Sequence, residues 1–419
     1  MRLSPLNRNA DECILSRRMS DSAQSPVEVA LRTPARWAGR GYRTGLNILK
    51  LLWEGAEKSY FHRNHKPTDV VLFLTYRCTN QCKACTIWQR PVNQDEELTW
   101  EDWRPVFEKF KRGGIKSVEL FGGDALLRKE LLFQMIRFCS ENGMATYLPT
   151  NSNGLTDETA RQMVDAGLGT IYFSLDESDG IEGQVRGVKG HTEKVRASIQ
   201  RIRDERGDRP SPVIEVITTV SGMNYRDLHE LASFARDAGA DAHEFRGITE
   251  FTTPVVDASS VNGTSPEPYF MPSDSHSHGF TPEQANELLE ILKDLRRRRG
   301  EFAPMRISMM NMEGLTQEHL TTLEYPHHDC LFCTTQMNVT PYGDVIPCPY
   351  FNEYRLGNLL DEDIPDVWGS DRHREFTRRQ QSDKIPMCSQ CSIRPYHQNL
   401  PSAVRAIARR VTSFSFLSR

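Results

Sequence analysis

The sequence predicts an α/β protein whose main domain is an open, partial (β/α)6 barrel. From residue 70 onward, six short apolar runs of strand type alternate with amphipathic runs of helix type. Glycines follow four of the helical runs, at Gly113, Gly143, Gly167 and Gly239, in the left-handed position that ends many helices. Successive strand–helix units favour a parallel sheet with right-handed crossovers, and six units are too few for a closed eight-stranded barrel.

The strands that the sequence predicts are Val70–Thr75, Ser117–Phe121, Ala145–Pro149, Thr170–Leu175, Val213–Val220 and Ala242–Arg246. The helical runs between them carry apolar residues at helical spacing, as Leu228, Leu231, Ala232 and Ala235 do. Functional groups gather at the carboxyl ends of the strands in such sheets. We therefore expect the chemistry in the loops that follow the strands.

The composition and net charge limit the classes of protein to which this chain can belong. The 419 residues carry a formal net charge of −4, with 38% hydrophobic and 26% charged residues, which is typical of a soluble globular protein. This charge gives no general case for nucleic acid as a partner. No apolar run approaches the length of a transmembrane helix, and the N-terminus lacks the apolar stretch of a secretory signal. Ten cysteines, several in Cys-x2-Cys pairs, indicate metal binding rather than disulfides, and hence a cytoplasmic location.

The chain divides further by composition. Residues 1–35 are polar without periodicity and predict a disordered tail. Residues 36–66 predict a basic amphipathic helical segment, which either packs on the main domain or docks a membrane surface or a partner. The remaining predicted units are the core at 67–250, a lid loop with linking helices at 251–325, a cysteine-rich domain at 326–395 and a basic helix or tail at 396–419.

The expected lid begins with a region rich in Ser, Pro, Thr and His, over residues 251–280. Long loops of this kind are often functional, although His276 and His278 are expected to be solvated. A helix is then predicted to start at Thr281, because a capping threonine is followed by proline and, three residues on, by Gln284.

Three cysteines follow the first predicted strand: Cys78, Cys82 and Cys85, spaced Cys-x3-Cys-x2-Cys. Three thiolates can hold three irons of a four-iron, four-sulfur cluster and leave the fourth iron open to a ligand. A zinc site would need a fourth ligand, and none lies within a few residues. Zinc, or three unrelated thiols, is the alternative to a cluster at this stage.

This spacing after a strand resembles the radical S-adenosylmethionine (SAM) superfamily, and the resemblance extends over about residues 70–250. In that family the open iron binds the amino and carboxylate groups of SAM, and reductive cleavage yields a 5'-deoxyadenosyl radical. The resemblance implies a SAM-binding [4Fe-4S] cluster, SAM itself, and a TIM-like partial barrel.

The same resemblance implies SAM contacts at later strand ends. The positions concerned are Gly122, Gly123, Asp124, Asn151, Ser174 and Arg186. Asp124 stands where the family usually has a glutamate that holds the amino group of SAM. Ser174 matches a serine that contacts the ribose, and Arg186 an arginine that contacts the carboxylate, for which a guanidinium fork is well suited. Each of these residues, taken alone, is also typical of a turn or a polar surface.

A second cysteine group comprises Cys330, Cys333, Cys348, Cys388 and Cys391. Residues 336–347 predict a β-hairpin, and the pattern resembles the SPASM/twitch extension of radical SAM enzymes, which holds auxiliary iron–sulfur clusters. His397 stands where the full SPASM form has a further cysteine, which implies the reduced form with one auxiliary [4Fe-4S] cluster. The expected ligands are Cys330, Cys348, Cys388 and Cys391, with Cys333 as an alternative. Two Cys-x2-Cys pairs would also suit a four-cysteine zinc site.

The expected reaction is oxidation of an alcohol on a small polar, sugar-like or aminocyclitol-like substrate, with the auxiliary cluster as electron acceptor. Candidate substrate contacts near the later strand ends are Asp176, Glu215, Glu244 and Arg246, and one carboxylate is expected to take the hydroxyl proton. Each of these is equally typical of an ordinary ion pair. A flavodoxin or ferredoxin is the expected electron donor. The alternatives are an epimerase with Cys333 as hydrogen donor, a peptide-modifying enzyme, and a non-enzymatic iron–sulfur sensor or scaffold.

Overall fold

The computed structural model describes residues 63–178, 185–269, 279–325, 330 and 332–392. The predicted N-terminal tail, most of the helical segment at 36–66, the C-terminal tail, His276 and His278 lie outside the described residues. In the described part of the chain, ten strands form one sheet in the order β10-β9-β8-β1-β2-β3-β4-β5-β6-β7.

Seven parallel strands follow one another along the chain and across the sheet. They are β1 Asp69–Phe73, β2 Ser117–Phe121, β3 Ala145–Thr150, β4 Thr170–Ser174, β5 Val213–Val220, β6 Ala242–Gly247 and β7 Arg306–Ser308. The six predicted strands are confirmed to within two residues at each end. The sequence did not predict β7, because three residues are too few to show a periodicity. The open, partial barrel is thus confirmed.

Helices connect these strands and cover the outer face of the sheet. The α-helices between β1 and β7 are α1 Trp100–Gly113, α2 Lys129–Glu141, α3 Asp157–Asp165, α4 His191–Arg206, α5 Leu228–Ala238, α6 Thr253–Asp257 and α7 Pro282–Arg298. Gly143, Gly167 and Gly239 have the predicted positive φ, whereas Gly113 is still helical and Gly114 is the left-handed residue after α1. Among the described helices, none is long and apolar enough to cross a membrane.

The two faces of β1 pack against different cores. Val70, Leu72 and Leu74 join the first core cluster, which lies between the sheet and the helices and contains Cys139 as the core residue that we expected. Val71 and Phe73 point the other way. They join the second core cluster, whose other buried members are Tyr76, Ile87, Phe251, Val256, Val261, Tyr269, Cys333, Tyr350, Phe351, Tyr354, Phe376, Ile385 and Met387.

The cysteine-rich C-terminal region extends the main sheet. Its elements are α8 Gln317–Thr322, α9 Phe332–Thr335, β8 Gln336–Val339, β9 Asp344–Ile346, β10 Gly357–Asn358, α10 Ile364–Val367 and α11 Asp371–Gln381. The predicted hairpin is present as β8 and β9. Strand β8 also pairs in parallel with β1, from Asp69 opposite Gln336 to Leu72 opposite Val339. The two cysteine groups are therefore placed by neighbouring strands of one sheet.

The expected lid is more ordered than its composition indicated. Helix α6 begins just after Thr252, and Val261 and Thr264 form a short antiparallel bridge. Phe251, Val256, Val261 and Tyr269 are buried in the second core cluster. The prediction of a loop without secondary structure is thus wrong up to residue 269, because apolar residues hidden among Ser, Thr and Pro find a core to join. The capping box predicted at Thr281 is confirmed.

Candidate active site

The first three cysteines lie on a loop directly after β1. Cys78, Cys82 and Cys85 are each half-buried and take part in no disulfide. The loop turns tightly, with the Cys85 N–H donating to the Cys82 carbonyl at 3.3 Å and the Asn80 N–H donating to Cys78 Sγ at 3.5 Å. Burial raises the pKa of the Cys78 thiol, and it raises the pKa of Cys85 to about 12. As ligands, these sulfurs therefore need a bound cation to hold them as thiolates.

The arrangement of the donors suits a cluster better than a single ion. Among the residues that the structure describes, no three His, Cys, Asp or Glu side chains converge closely enough to hold one metal ion. A zinc ion needs four ligands at about 2.0–2.3 Å from one point. A four-iron cluster takes one thiolate at each iron, so its ligands stand further apart. Three cysteines on one loop are the donor set that a four-iron cluster with one open position requires.

Gly122 and Gly123 bring the end of β2 against the cysteine loop. The Gly123 N–H donates to the Thr75 carbonyl and the Asp124 N–H to the Arg77 carbonyl, each at 2.8 Å. A Cβ at Gly122 would collide with the Thr75 carbonyl, and one at Gly123 with the carbonyls of Tyr76 and Arg77. The two glycines thus make room for the protein's own backbone. Their predicted contact with SAM stays a prediction.

Asp124 and Asn151 meet at Thr79, which lies between the first two cysteines. The Thr79 hydroxyl donates to Asp124 Oδ2 at 2.5 Å, and Asn151 Nδ2 donates to Thr79 Oγ1 at 3.0 Å. Asn151 Nδ2 also lies 4.0 Å from Cys78 Sγ. Burial raises the pKa of Asp124, although hydrogen bonds from Thr79, Leu126 and Asn151 oppose the rise. The structure therefore brings the ends of β2 and β3 to the cysteine loop, as the sequence predicted.

Arg186 lies on the opposite side of the cysteine loop. Its guanidinium pairs with Asp176 Oδ2 at 2.5 Å, and another of its nitrogens lies 4.0 Å from Cys82 Sγ. Burial acts to lower the pKa of Arg186, but Asp176 and Cys82 more than offset it and hold the pKa above its usual value. Asp176 also accepts from the Thr219 N–H at 2.6 Å. Asp176, predicted as a substrate contact, is thus placed to orient Arg186.

Glu177 supports Arg186 and was not singled out from the sequence. Its buried carboxylate accepts from the backbone N–H groups of Val185 and Arg186. The same segment is tied to the cysteine loop, since the Lys83 N–H donates to the Val185 carbonyl at 3.0 Å. The only local signal was a carboxylate at the end of a predicted strand, next to Asp176. Its loop partners cannot be read from spacing.

Ser174 closes β4 with a half-buried side chain. Its carbonyl accepts from His191 Nε2 at 2.9 Å, and burial lowers the pKa of His191. His191 is therefore neutral near pH 7 and anchors the strand end through its main chain. The predicted contact between Ser174 and the ribose of SAM is not tested by this geometry and stays a prediction.

The other predicted substrate contacts point into the barrel. Arg246 pairs with Glu244 at 3.1 Å and lies 6.0 Å from the ring centroid of Tyr172. The Tyr172 ring stacks on Tyr147 at 5.9 Å. Glu215, half-buried opposite Tyr172, and Glu244 are each the third residue of their strands, so their expected position near a strand end is wrong. Their predicted contact with substrate stays a prediction. The barrel interior is accordingly lined by charged and aromatic side chains.

The second cysteine group gathers around the same core. Cys330, Cys348, Cys388 and Cys391 are half-buried and pack against the second core cluster. Burial raises the pKa of Cys348, and the other three sulfurs add to that rise, which shows that the four lie near one another. Cys333 is fully buried, with Sγ 3.1 Å from the Cys330 carbonyl. Cys330, Cys388 and Cys348 also lie near Cys333. The predicted ligand set, with Cys333 as the alternative, therefore stays a prediction.

Comparison with known families agrees with this geometry. Residues 72–235 match the model of the radical SAM superfamily. Residues 330–392 match the model of SPASM, described as an iron-sulfur cluster-binding domain. The two predicted domains are confirmed, and with them a SAM-binding [4Fe-4S] cluster and auxiliary cluster binding. The iron–sulfur description also favours iron over the zinc alternative.

Several curated proteins are distant relatives. A tungsten-containing aldehyde ferredoxin oxidoreductase cofactor-modifying protein of Pyrococcus furiosus is 24% identical, over 77% of this chain and 86% of its own. A PqqA peptide cyclase of Streptomyces rochei is 24% identical, over 73% of this chain and 76% of its own. An AdoMet-dependent heme synthase of Methanosarcina barkeri is 23% identical, over 72% and 82%.

Solved structures share the fold at low sequence identity. Streptococcus suis SuiB bound to precursor peptide SuiA has a TM-score of 0.58 at 16% identity, covering 87% of this chain and 81% of its own. The native anSMEcpe with bound AdoMet and Kp18Cys peptide has a TM-score of 0.57 at 13% identity, covering 83% and 99%. At these identities the likeness establishes the architecture alone.

Proposed function

Because residues 72–235 form a radical SAM domain and residues 330–392 a SPASM domain, we propose that the protein is an enzyme that modifies a peptide by radical chemistry. The observation that supports this most strongly is the convergence of three strand ends on the cysteine loop. Asp124, Asn151 and Arg186 surround Cys78 and Cys82 from two sides. Such a convergence has no use in a purely structural metal site.

Each group has a distinct part in this proposal. A [4Fe-4S] cluster on Cys78, Cys82 and Cys85, with SAM on its open iron, supplies the one-electron cleavage to methionine and a 5'-deoxyadenosyl radical. The Asp124 carboxylate accepts from the ammonium of SAM, and the Arg186 fork donates to its carboxylate. Thr79 and Asp176 hold these two side chains in place before SAM arrives. This preorganisation reduces the cost of orienting the sulfonium against the cluster.

A peptide substrate is favoured by the relatives. Those described above are named for changing a peptide, a cofactor or a haem, and two structural neighbours contain a bound peptide. None of the relatives described is named for oxidation of a sugar or cyclitol alcohol, so the predicted small polar substrate gains no support. The charged and aromatic barrel interior suits a chain that offers both amide groups and side chains to Glu244, Arg246 and Tyr172.

The second cysteine group fits a net oxidation of the substrate. Once a hydrogen atom has been removed, a cross-link or an unsaturated product requires that the substrate radical give up one further electron and one proton. The set of Cys330, Cys348, Cys388 and Cys391 is placed to hold the acceptor for that electron. A product lighter by two hydrogens would identify this course, whereas an epimer of unchanged mass with solvent deuterium would identify the redox-neutral alternative.

SAM cleavage is the first test. Anaerobically reconstituted protein, reduced with dithionite and given SAM, is expected to release 5'-deoxyadenosine, and the variant Cys82→Ala is expected to release none. Cys139→Ala is the matched control, because Cys139 is buried in the first core cluster. Absence of 5'-deoxyadenosine from the wild type, with the cluster present by iron and sulfide assay, would contradict the proposal.

The substrate class can be tested before the substrate is known. Extract of the protein's own host is divided, and one half is digested with a protease that is then inactivated. The undigested half is expected to raise the rate of 5'-deoxyadenosine formation above the uncoupled rate, and digestion is expected to remove that increase. An increase that survives digestion would instead indicate the small polar substrate.

A further inference from the structure

Two buried tyrosines lie between the two cysteine groups. The rings of Tyr269 and Tyr350 are in contact, with centroids 5.3 Å apart and planes inclined at 55°. Both residues belong to the second core cluster, against which Cys85 and Cys348 also pack. The pair therefore lies in a core against which one ligand of each site packs.

Tyr269 is fastened to the first cysteine loop. Its carbonyl accepts from the Thr86 N–H at 2.6 Å, and Thr86 directly follows Cys85. Its phenol lies within electrostatic reach of both Cys85 and Cys348. The Arg90 guanidinium lies 5.8 Å from the centroid of the ring. The main chain of the first site thus fixes the position of this ring.

Tyr350 is fastened in the same way to the second cysteine group. It follows Cys348 by two residues, and its backbone N–H lies near the Cys348 sulfur. Its carbonyl accepts from the Glu267 N–H at 2.6 Å, which joins it to the segment that holds Tyr269. Its phenol lies within electrostatic reach of Cys348, Cys391 and Cys85.

We propose that the Tyr269–Tyr350 ring pair is the electron path between the two cluster sites, an inference that rests on the proposed radical SAM function. In each event one electron leaves the reduced cluster at one site and reaches the oxidised cluster at the other, so that one is oxidised as the other is reduced. The rings gain and lose no proton.

The contact between the Tyr269 and Tyr350 rings gives the physical reason for this role. Electrons tunnel more readily through groups in van der Waals contact than across a gap, and an aromatic ring spans several ångströms without one. Replacing both rings by leucine leaves unfilled space between Cys85 and Cys348 and removes this route. The two cluster sites themselves keep all of their sulfur ligands.

The test counts electrons that cross between the sites. Full-length protein with both clusters is reduced, freed of reductant and mixed with excess SAM. The amount of 5'-deoxyadenosine formed per chain is measured over time. Samples frozen at the same times are examined by electron paramagnetic resonance. Each cleavage consumes one electron. The wild type is expected to give a second equivalent as the auxiliary cluster's reduced signal decays. The double variant Tyr269→Leu/Tyr350→Leu is expected to form the first equivalent of 5'-deoxyadenosine at the wild-type rate but not the second. Its reduced auxiliary-cluster signal is expected to persist.

Two controls separate conduction from packing. Tyr269→Phe/Tyr350→Phe retains the rings and is expected to match the wild type. Phe376→Leu removes a ring from the second core cluster at a place where its ring contacts are Phe351 and Tyr354, and it is also expected to match the wild type. Iron and sulfide contents are required to be equal in all variants. If the double variant does not load both clusters, the single variants Tyr269→Leu and Tyr350→Leu serve in its place.

Other outcomes would overturn the inference in distinguishable ways. Decay of the reduced auxiliary signal at the wild-type rate in the leucine variants excludes the ring pair as the path. A wild type that stops after one equivalent, with the auxiliary signal unchanged, excludes electron exchange between the sites. A wild type that forms no 5'-deoxyadenosine refutes the proposed function itself.

Discussion

Arg186 joins the end of β4 to the cysteine loop, because its guanidinium pairs with Asp176 at 2.5 Å and also approaches Cys82 Sγ at 4.0 Å. Both charged side chains are largely buried, with side-chain exposures of 16% for Arg186 and 6% for Asp176. A buried pair of this kind fixes geometry more than it adds stability. The pair therefore sets the direction from which Arg186 meets a ligand at the cysteine loop.

Loss of the Asp176 charge is expected to weaken SAM binding. Asp176→Asn leaves the Arg186 guanidinium without its anionic partner, so its orientation relaxes and SAM affinity falls about tenfold, equivalent to about 1.4 kcal/mol. Equilibrium binding of SAM to reconstituted protein measures this. Asp165→Asn is the control, because Asp165 belongs to an exposed ion pair with Arg209. Equal SAM affinity in wild type and Asp176→Asn would contradict the orienting role.

A methyl group at Gly123 is expected to disrupt the first cluster site. The added Cβ would collide with the Arg77 carbonyl and displace the loop that presents Cys78. Gly123→Ala is therefore expected to lose about four irons per chain, the content of one [4Fe-4S] cluster. Gly300→Ala is the control, since nothing lies within 4 Å of the added Cβ. Full iron content in Gly123→Ala, measured on folded protein, would show that the close approach is dispensable.

Cys333 and Cys348 are expected to differ in their effect on the auxiliary cluster. Cys333 is fully buried and donates to the Cys330 carbonyl, whereas Cys348 makes no such hydrogen bond among the described residues and lies near the Tyr350 backbone N–H; each has three other sulfurs nearby. Cys348→Ala is expected to lose about four irons per chain, and Cys333→Ala to keep them. The reverse result would assign Cys333 in place of Cys330 or Cys348 and revise the ligand set.

Acid is expected to destabilise the protein through His243. This side chain is fully buried, its Nε2 donates to the Thr218 hydroxyl at 2.8 Å, and burial lowers its pKa to about 3. Because the folded-state pKa lies below the unfolded value of about 6.5, the unfolded state binds the extra proton as the pH falls. The contribution of His243 to the free energy of unfolding is therefore fully present well above pH 6.5. By pH 5, protonation of this side chain in the unfolded state lowers the free energy of unfolding by about 2 kcal/mol.

Denaturant unfolding at pH 7.5 and pH 5 measures that loss. His243→Gln keeps a donor for Thr218 but cannot be protonated, so its loss between the two pH values should be smaller by about 2 kcal/mol. His229→Gln is the control, because His229 is partly exposed beside Asp294. An equal pH dependence in wild type and His243→Gln would exclude His243 as the source.

Much of the candidate site was readable from local sequence. The Cys-x3-Cys-x2-Cys spacing and the strand before it are contiguous, so they predicted both a cluster and its place at a strand end. The order of the strands then put Asp124, Asn151 and Arg186 at the same edge of the sheet. The roles of single side chains were not readable, because Thr79 and Glu177 act through partners that lie far along the chain.

Other differences between prediction and structure also depend on contacts with residues far along the chain. Composition indicated a loop without structure after residue 250, yet Val256 and Val261 are buried. Their core is made largely by residues beyond 325, so no window around them could reveal it. Glu215 is the third residue both of the predicted strand Val213–Val220 and of β5, and the register places it opposite Tyr172, near the start of the strand.

The sequence alone determined the order of the six core strands, three of the four glycine-marked helix ends and the three-cysteine loop, since each depends on the spacing of neighbouring residues. Only the tertiary structure decided that the C-terminal hairpin joins β1, as the contact between Thr68 and Thr335 across 267 positions shows. It likewise decided that Tyr269 meets Tyr350 between the cysteine groups. Such contacts arise from the packing of buried surfaces, which local periodicity does not encode.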